Sequence, residues 1–351
     1  MPAPRVSAIV VNYRRAEMTC DCLVALSVAL RRLDDPSEIV VVDNGSGDGS
    51  AETIRAAVPE AAVHQLTDNL GFAAAASEGI RNSSGEWVLL LNNDVIAEPD
   101  AAAALVAVGE TAPDVGSVAA QMRFMRHRGT INSAGIGVDR LGIAFDRLLG
   151  EPVDASEGEP VEVFGASGGA ALHRRRMLEE VGGLDESYFF GLEDADLAWR
   201  AQMAGWRALY APGAIVYHHH GATGAHGSPL KYLHVGLGRV RTVAKNADSR
   251  QLRRYGAAMV AYDLAYVSYA AVKDRTLAPL RGRLRGMREW RRYRRAGEPR
   301  RPVELEPVRG LLAALGRREV WGRHSSAASK GPAPADDRGE GLEKDLDVLA
   351  K

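Results

Sequence analysis

Three carboxylates stand within four positions of this chain, at Glu193, Asp194 and Asp196, and His218 follows them. An aromatic run, residues 188–190, precedes the acids. Carboxylates placed behind apolar residues are costly to bury unless a metal, a cation or a catalytic task requires them. A structural role is the alternative, in which the acids occupy the first turn of a helix and favour its dipole. This segment alone leaves both interpretations open.

Two upstream segments carry further candidate groups. Residues 89–95 read LLLNNDV, so Asp94 follows a strongly apolar run, where a carboxylate suits a hard divalent ion that also holds substrate phosphates. Residues 41–50 read VVDNGSGDGS, and Asp43 can accept hydrogen bonds from a base or a ribose. This turn is neither a dinucleotide fingerprint nor a Walker A sequence, and it also suits a plain strand-to-helix connection.

Short apolar runs alternate with segments of helical periodicity in the first hundred residues, and this alternation predicts βαβ units and a mainly parallel sheet. Because ligands bind at the carboxyl ends of strands in such sheets, we expect the polar groups after the strands to converge on one edge. The predicted strands are residues 6–11, 39–42, 63–66 and 87–91, and the predicted helices are residues 16–32, 50–57 and 72–82.

The second half of the chain is less regular. Residues 115–124 are predicted to form a strand, and residues 126–160 to form loops or an antiparallel extension. A helix is predicted over residues 197–204, with Trp199 as a core residue. Strands are predicted over residues 206–210 and 214–217, on either side of a Pro-Gly pair.

Composition adds a charge asymmetry. The chain has 351 residues and a net charge of −1, yet residues 281–301 hold ten arginines against two glutamates. Such a block favours an anionic partner, although a solvated helix face is the alternative. Cys20 and Cys22 fit no zinc site, which predicts reduced thiols in a cytosolic helix. We predict no signal peptide. We also predict no membrane-spanning segment, because Asp263 interrupts the most apolar stretch, residues 255–272.

The order of the motifs VVNY, VVDNGSGDGS, NLGFAAA, LLLNNDV, GASGGAALHRR and GLDESYFFGLEDADLAWR, with a histidine after them, resembles glycosyltransferase family 2 over residues 6–221. The closest-looking branch is the bacterial rhamnosyltransferase-like one. The resemblance implies the GT-A fold, a Rossmann-like sheet flanked by helices, with a small antiparallel extension and C-terminal helices. It also implies inverting transfer of a sugar, rhamnose in that branch, from a nucleotide-diphospho-sugar to a glycan, lipid-linked or small-molecule acceptor, assisted by Mg²⁺ or Mn²⁺.

The resemblance also implies a role for each matching residue. Asp194 matches the catalytic base, and Glu193 is expected to bind or orient the acceptor. Asp94 and His218 match the metal site, but Asn92 stands where many members carry an acid, so weakened metal binding is expected. The residues expected to bind the nucleotide sugar are Asn12, Asp43, Asn69, Gly71, Asn92 and Asn93.

The predicted organisation is a catalytic domain over residues 1–228, a basic helical region over 229–324 and a disordered tail over 325–351. We expect a cytoplasmic protein that touches the inner face of the cell membrane through residues 255–301, with no nucleic-acid partner. One alternative is a non-catalytic protein that binds an anionic partner through its arginines. Another is a sugar nucleotidyltransferase, which needs a glycine-rich loop where residues 12–15 read NYRR.

Overall fold

The computed structural model describes residues 3–219, 228–294 and 302–309. The strands are β1 (Val6–Asn12), β2 (Ser37–Asp43), β3 (Ala62–Gln65), β4 (Trp87–Asn92), β5 (Val95–Ala97), β6 (Val115–Phe124), β7 (His127–Ser133), β8 (Ile136–Val138), β9 (Ala144–Asp146), β10 (Val161–Val163), β11 (Ala170–Arg174) and β12 (Arg207–His218). The helices are α1 (Ala16–Leu30), α2 (Ser50–Ala57), α3 (Phe72–Arg81), α4 (Ala101–Gly109), α5 (Arg175–Val181), α6 (Glu193–Ala204), α7 (Pro229–Asn246), α8 (Ser249–Lys273), α9 (Ala278–Arg288) and α10 (Trp290–Tyr293).

One mixed sheet forms the centre, in the order β10-β12-β6-β11-β4-β1-β2-β3. Strands β4, β1, β2 and β3 run parallel, as do β6 and β12, whereas β11 is antiparallel to both of its neighbours. The short pair β8-β9 forms a separate antiparallel sheet. The predicted fold, a mainly parallel α/β sheet with a small antiparallel extension, is confirmed.

Helices cover both faces of the sheet because its central strands are apolar on both sides. In β1, Ala8 and Val10 pack into a cluster with residues of α1, α2 and α4. Ile9, between them, packs on the opposite face with residues of α3, α5 and α6. Trp199 is 2% exposed, which confirms its predicted place in the core. This two-sided burial fixes the strand register, and with it the edge at which the strand-end residues meet.

Two of the predicted elements differ from the structure by more than one or two residues. Helix α6 begins at Glu193 rather than at residue 197, directly after Leu192, whose φ of 73° is left-handed. The first-turn acids are therefore part of the helix. Residues 207–218 form one strand rather than two, and its pairing with β6 shifts register between Ala211 and Ile215. Pro212 lies within that shift, where it needs no ladder hydrogen bond.

Polar contacts connect the second half of helix α7 to the sheet domain. Arg239 donates to the backbone carbonyls of Leu141 and Gly142. Lys245 and Asn246 both donate to the carboxylate of Asp196 in α6, at 2.8 and 2.9 Å. The division of the chain at residue 228 remains a prediction, and the predicted tail, residues 325–351, lies outside the described residues.

Across the described ranges, no helix combines the length and the apolarity that a membrane crossing requires.

Candidate functional site

A cavity of about 370 Å³ lies at the carboxyl ends of β1, β2 and β4. Helix α6 closes one side of it and the first turns of α7 another. Six residues predicted from the sequence line it: Asn69, Gly71, Asn92, Asn93, Glu193 and Asp194. The strand-end polar residues and the acidic helix start therefore share one enclosure. A second cavity, of about 450 Å³, lies by the α7–α8 junction and contains none of the predicted residues.

Asn12 and Asp43 lie behind the cavity wall and form a buried pair. Asn12 Nδ2 donates to Asp43 Oδ1 at 2.6 Å, and both residues are fully buried. Ser46 Oγ also donates to Asp43, while Thr19 Oγ1 donates to Asn12 Oδ1 at 2.8 Å. Their chain neighbours, Tyr13 among them, line the cavity. The buried pair holds two strand ends together, and the role of Asp43 toward a base stays a prediction.

An asparagine-rich turn shapes the side of the cavity at β2. Asn44 Nδ2 donates to Asn69 Oδ1 at 2.9 Å, and Asn69 Oδ1 also accepts the Gly71 amide at 3.0 Å. Gly71 has a φ of 85°, and a Cβ there would lie 2.5 Å from the carbonyl oxygen of Phe189. Only glycine permits that approach. The segment that leads into α6 is thereby held against the predicted donor side.

Backbone amides orient the carboxylate of Asp194. Its Oδ2 accepts the Gly168 amide at 3.0 Å, and its Oδ1 accepts the Ala195 amide at 2.7 Å. Burial raises the pKa of Asp194 above its usual value, and these amides oppose the rise. A carboxylate held by fixed donors and facing a cavity is a suitable proton acceptor for a bound hydroxyl group.

Glu193 occupies a more apolar setting beside it. Burial, and then the charge of Asp194, raise the pKa of Glu193 to about 8. Its Oε2 has no hydrogen-bond partner among the described residues. Adjacent carboxyls with different surroundings can divide the acid and base roles, and Glu193 is the one whose pKa lies above neutrality.

The predicted metal ligands also meet. His218 Nε2 lies 3.2 Å from Asp94 Oδ1, although the two are 124 positions apart in sequence and neither lines the cavity surface. His218 Nδ1 is 2.8 Å from Oδ1 of the buried Asn132, a residue that no sequence motif had indicated. If Nδ1 carries the ring proton and donates it to Asn132, the lone pair of Nε2 would be available to a metal ion shared with Asp94.

This donor set fits a divalent ion that is held largely by substrate oxygens. One carboxylate and one imidazole face each other, and ions of this type accept one or two protein ligands beside phosphates and water. Within the described residues, however, no three side chains among histidine, cysteine, aspartate and glutamate form a metal cluster. Asn92 lines the cavity, and because its side chain is an amide, it adds no carboxylate to the metal ligands.

Helix α7 supplies a wall that sequence reasoning missed. His234 stacks on Phe189 with ring centroids 4.7 Å apart, and Lys231 Nζ lies 5.6 Å from the centroid of the Phe190 ring. Burial, and then the charges of two arginines, lower the pKa of His234 to about 4, so the imidazole is neutral. In the sequence, Ser228-Pro229 combines a capping residue with a first-turn proline. This pair predicts where a helix starts, but not where that helix packs in the fold.

Asp196 has a structural role rather than a place in the cavity. Its carboxylate is fully buried and accepts from Arg200 at 2.9 Å, as well as from Lys245 and Asn246. These bonds join the first turn of α6 to α7. The third acid of the sequence motif therefore fixes the position of the other two.

Comparisons with known proteins identify the family of the chain. Residues 3–228 match the model of the family described as Glycosyltransferase like family 2. The chain is 31% identical over 219 residues to the N-acetylglucosaminyl-diphospho-decaprenol L-rhamnosyltransferase of Mycobacterium tuberculosis, covering 56% of this chain and 70% of that one. It is 25% identical over 214 residues to the poly-beta-1,6-N-acetyl-D-glucosamine synthase of Staphylococcus aureus, covering 60% of this chain and 49% of the synthase.

Among solved structures, the chain resembles a mannosyltransferase from Pyrobaculum calidifontis in complex with GDP-Man and Mn²⁺. The TM-score is 0.53 at 19% identity, and the match covers 96% of this chain and 89% of that one. At this identity the likeness speaks for the fold alone.

Proposed function

We propose, from the premise that this chain belongs to glycosyltransferase family 2, that it moves a sugar from a nucleotide-diphospho-sugar to a lipid-linked glycan acceptor with inversion at the anomeric carbon. Family membership makes the chain a glycosyltransferase, and the two alternatives suggested by its sequence lose their support. Rhamnose is the proposed sugar, because the M. tuberculosis relative is a rhamnosyltransferase.

One observation carries the proposal. Asp194, held by two amides, faces the same cavity as Asn69, Asn92 and Asn93. Transfer in a single displacement needs a base on the acceptor side and polar groups around the leaving group on the other, and this cavity supplies both.

In the proposed reaction, Asp194 accepts the proton of the acceptor hydroxyl as its oxygen attacks the anomeric carbon. The bond from that carbon to the nucleoside diphosphate breaks, and the carboxylate favours the positive charge that develops on the sugar ring. Glu193 orients the acceptor, since a protonated carboxyl can donate a hydrogen bond to a sugar oxygen. Asn69, Gly71, Asn92 and Asn93 bind the donor, and the Asn12–Asp43 pair supports them from behind.

The proposed cofactor is Mg²⁺ or Mn²⁺, held by Asp94 and His218. When bound, such an ion stabilises negative charge on a departing diphosphate. Asn132 orients the imidazole of His218, and the amide of Asn92 binds the sugar rather than the ion.

The acceptor proposal extends to a membrane surface. Helix α8 exposes Val260, Leu264 and Val272 at 60%, 58% and 83%. Arg250, Arg253 and Arg254 are exposed in its first turns. An apolar face beside cations suits an anionic bilayer, where a lipid-linked acceptor resides. We therefore propose peripheral contact with the cytoplasmic leaflet through the region that follows residue 228.

The test is the variant Asp194→Asn with a panel of nucleotide sugars that includes dTDP-rhamnose. The amide keeps the shape of the side chain but cannot accept the proton, so we expect transfer to fall at least about 10³-fold. Donor binding, measured as a thermal shift, should match that of the wild-type protein. The exposed Asp154→Asn is the control and should retain full activity. Wild-type turnover by Asp194→Asn would show that another group is the base.

A further inference from the structure

We propose that Lys231 binds a phosphate group of the acceptor, so that the acceptor is a glycan whose attacking sugar is linked directly to a phosphate or diphosphate. This inference rests on the proposed function and deepens it, because it names the class of acceptor.

The starting observation is the setting of the Lys231 ammonium group. Lys231 lines the cavity that holds Glu193 and Asp194, and its Nζ lies over the ring of Phe190. Burial lowers the pKa of Lys231, and the charge of Asp146 opposes this only in part. In the part of the chain that the structure describes, no carboxylate forms an ion pair with it.

Lys245 in the same helix is a useful comparison, because it is a structural lysine with paired carboxylates. Its Nζ forms ion pairs with Asp185 and with Asp196, which lies 2.8 Å away. Fourteen positions earlier on α7, Lys231 has an aromatic face in place of two carboxylates. A half-buried cation with no paired carboxylate among the described residues is stabilised by an anion, so the site suits an anionic ligand.

The position of Lys231 favours the acceptor over the donor. The residues proposed to bind the nucleotide-sugar donor lie at the ends of β1 and β2, around Asn44 and Asn69. Lys231 lies over Phe190, three positions before Glu193, and feels the charge of Asp146 in β9. Strand β9 pairs with β8, whose Ile136 packs in one cluster with Ala195 and Ala198 of α6. Lys231 therefore lies beside the segment that leads into Glu193 and Asp194, and on that ground we assign it to the acceptor.

The arrangement of charges then defines the acceptor. Its attacking hydroxyl must reach the carboxylate of Asp194, while an anionic group reaches Lys231 across the same cavity. A sugar with a phosphate on its anomeric oxygen has both groups on one ring. The first amides of α7, capped by Ser228, favour the same charge at this end of the helix.

The experiment compares wild-type protein, Lys231→Met and Lys231→Arg on two acceptors that share one sugar. The first is N-acetylglucosaminyl diphosphate on a short alkyl chain, and the second is the uncharged alkyl N-acetylglucosaminide. For Lys231→Met we expect KM for the diphosphate acceptor to rise about ten-fold or more, because a charge-assisted hydrogen bond is lost. Its donor KM and its activity on the uncharged acceptor should not change. Lys231→Arg should restore most of the affinity, and the exposed Arg176→Met is the matched control for loss of a cation.

A higher donor KM in Lys231→Met would instead assign the lysine to the donor diphosphate, and equal effects on the two acceptors would give it a structural role. Either result overturns the proposal. Calorimetric titration with the acceptor, in the absence of donor, tests the Lys231 proposal independently of the proposed function. If the wild-type protein binds the diphosphate acceptor more tightly than Lys231→Met but transfers no sugar, only the proposed function fails. If both bind it equally, the Lys231 proposal fails.

Discussion

Neighbouring residues of one motif have different tasks because their surroundings differ. Asp194 is held by two amides at the cavity, Glu193 is buried with no partner for Oε2 among the described residues, and Asp196 is paired with α7. The sequence supported Asp194 as a base only through the family resemblance. Nothing in the spacing of the three acids distinguished them, because most of the contacts that do so come from residues 26 to 50 positions away, namely Gly168, Lys245 and Asn246.

The raised pKa of Glu193 predicts a stability that depends on pH. Between pH about 5 and about 8, the folded protein holds a proton on Glu193 that the unfolded chain has released. The free energy of unfolding therefore falls as pH rises through this window, by on the order of 3 kcal/mol. Glu193→Gln does not titrate, so its stability should be flatter over the same range. Urea unfolding at pH 6 and pH 9 measures the difference.

The exposed Glu179→Gln is the control for that comparison, and its pH dependence should match that of the wild-type protein. If Glu193→Gln and the wild-type protein lose the same stability between the two pH values, then Glu193 is ionised in the folded state. Its proposed role as a hydrogen-bond donor to the acceptor would then be wrong.

Among the elements, those of the sheet were largely predictable and those around the cavity were only partly so. Apolar runs of four to six residues predicted β1, β2 and β4, because strands buried on both faces need them. The start of α6 was placed four residues late, since Glu193 and Asp194 are polar and break the apolar pattern. The position of α7 was not predictable, because its contacts with Asp185 and Asp196 join distant parts of the chain.

Glycines set how closely α9 approaches α7. A Cβ on Gly282 would lie 2.1 Å from the carbonyl oxygen of Leu233, and one on Gly286 would lie 2.7 Å from Cβ of Val240. Gly282→Ala should therefore push the helices apart and destabilise the protein by about 1–3 kcal/mol in urea unfolding. Gly256 in α8 has nothing within 4 Å of its Cβ position, so Gly256→Ala is the matched control. That substitution should stabilise the helix by about 0.5–1 kcal/mol. A neutral Gly282→Ala would mean that the α7–α9 contact contributes little to folding.

At the scale of the whole molecule, the structure distinguishes the paired arginines from the exposed ones. Part of the arginine-rich region is internal, since Arg283 pairs with Asp263 at 2.9 Å, and Glu289 within that region pairs with Arg241 of α7. These pairs turn two acids inward and leave other arginines exposed on α8, α9 and α10. A count of charges along the sequence could not separate the paired arginines from the exposed ones.

The exposed face of α8 predicts binding to anionic bilayers. None of the exposed residues of this helix is acidic, and its arginines precede the apolar positions Val260 and Leu264. Replacing both apolar residues with aspartate places negative charge against an anionic surface and removes buried apolar area. We expect the double variant to bind phosphatidylglycerol vesicles at least about ten-fold more weakly than the wild-type protein. Vesicle co-sedimentation measures this, and added salt should weaken wild-type binding.

Val24 on α1 is similarly exposed, at 57%, so Val24→Asp is the control for an added charge at an apolar surface position and should bind vesicles normally. Transfer to a water-soluble acceptor should be unchanged in both variants, because α8 does not line the cavity. If the double variant binds as tightly as the wild-type protein, α8 is not the docking face. Equal wild-type binding to phosphatidylcholine vesicles would show that the arginines do not contribute, because an uncharged bilayer offers them no net attraction.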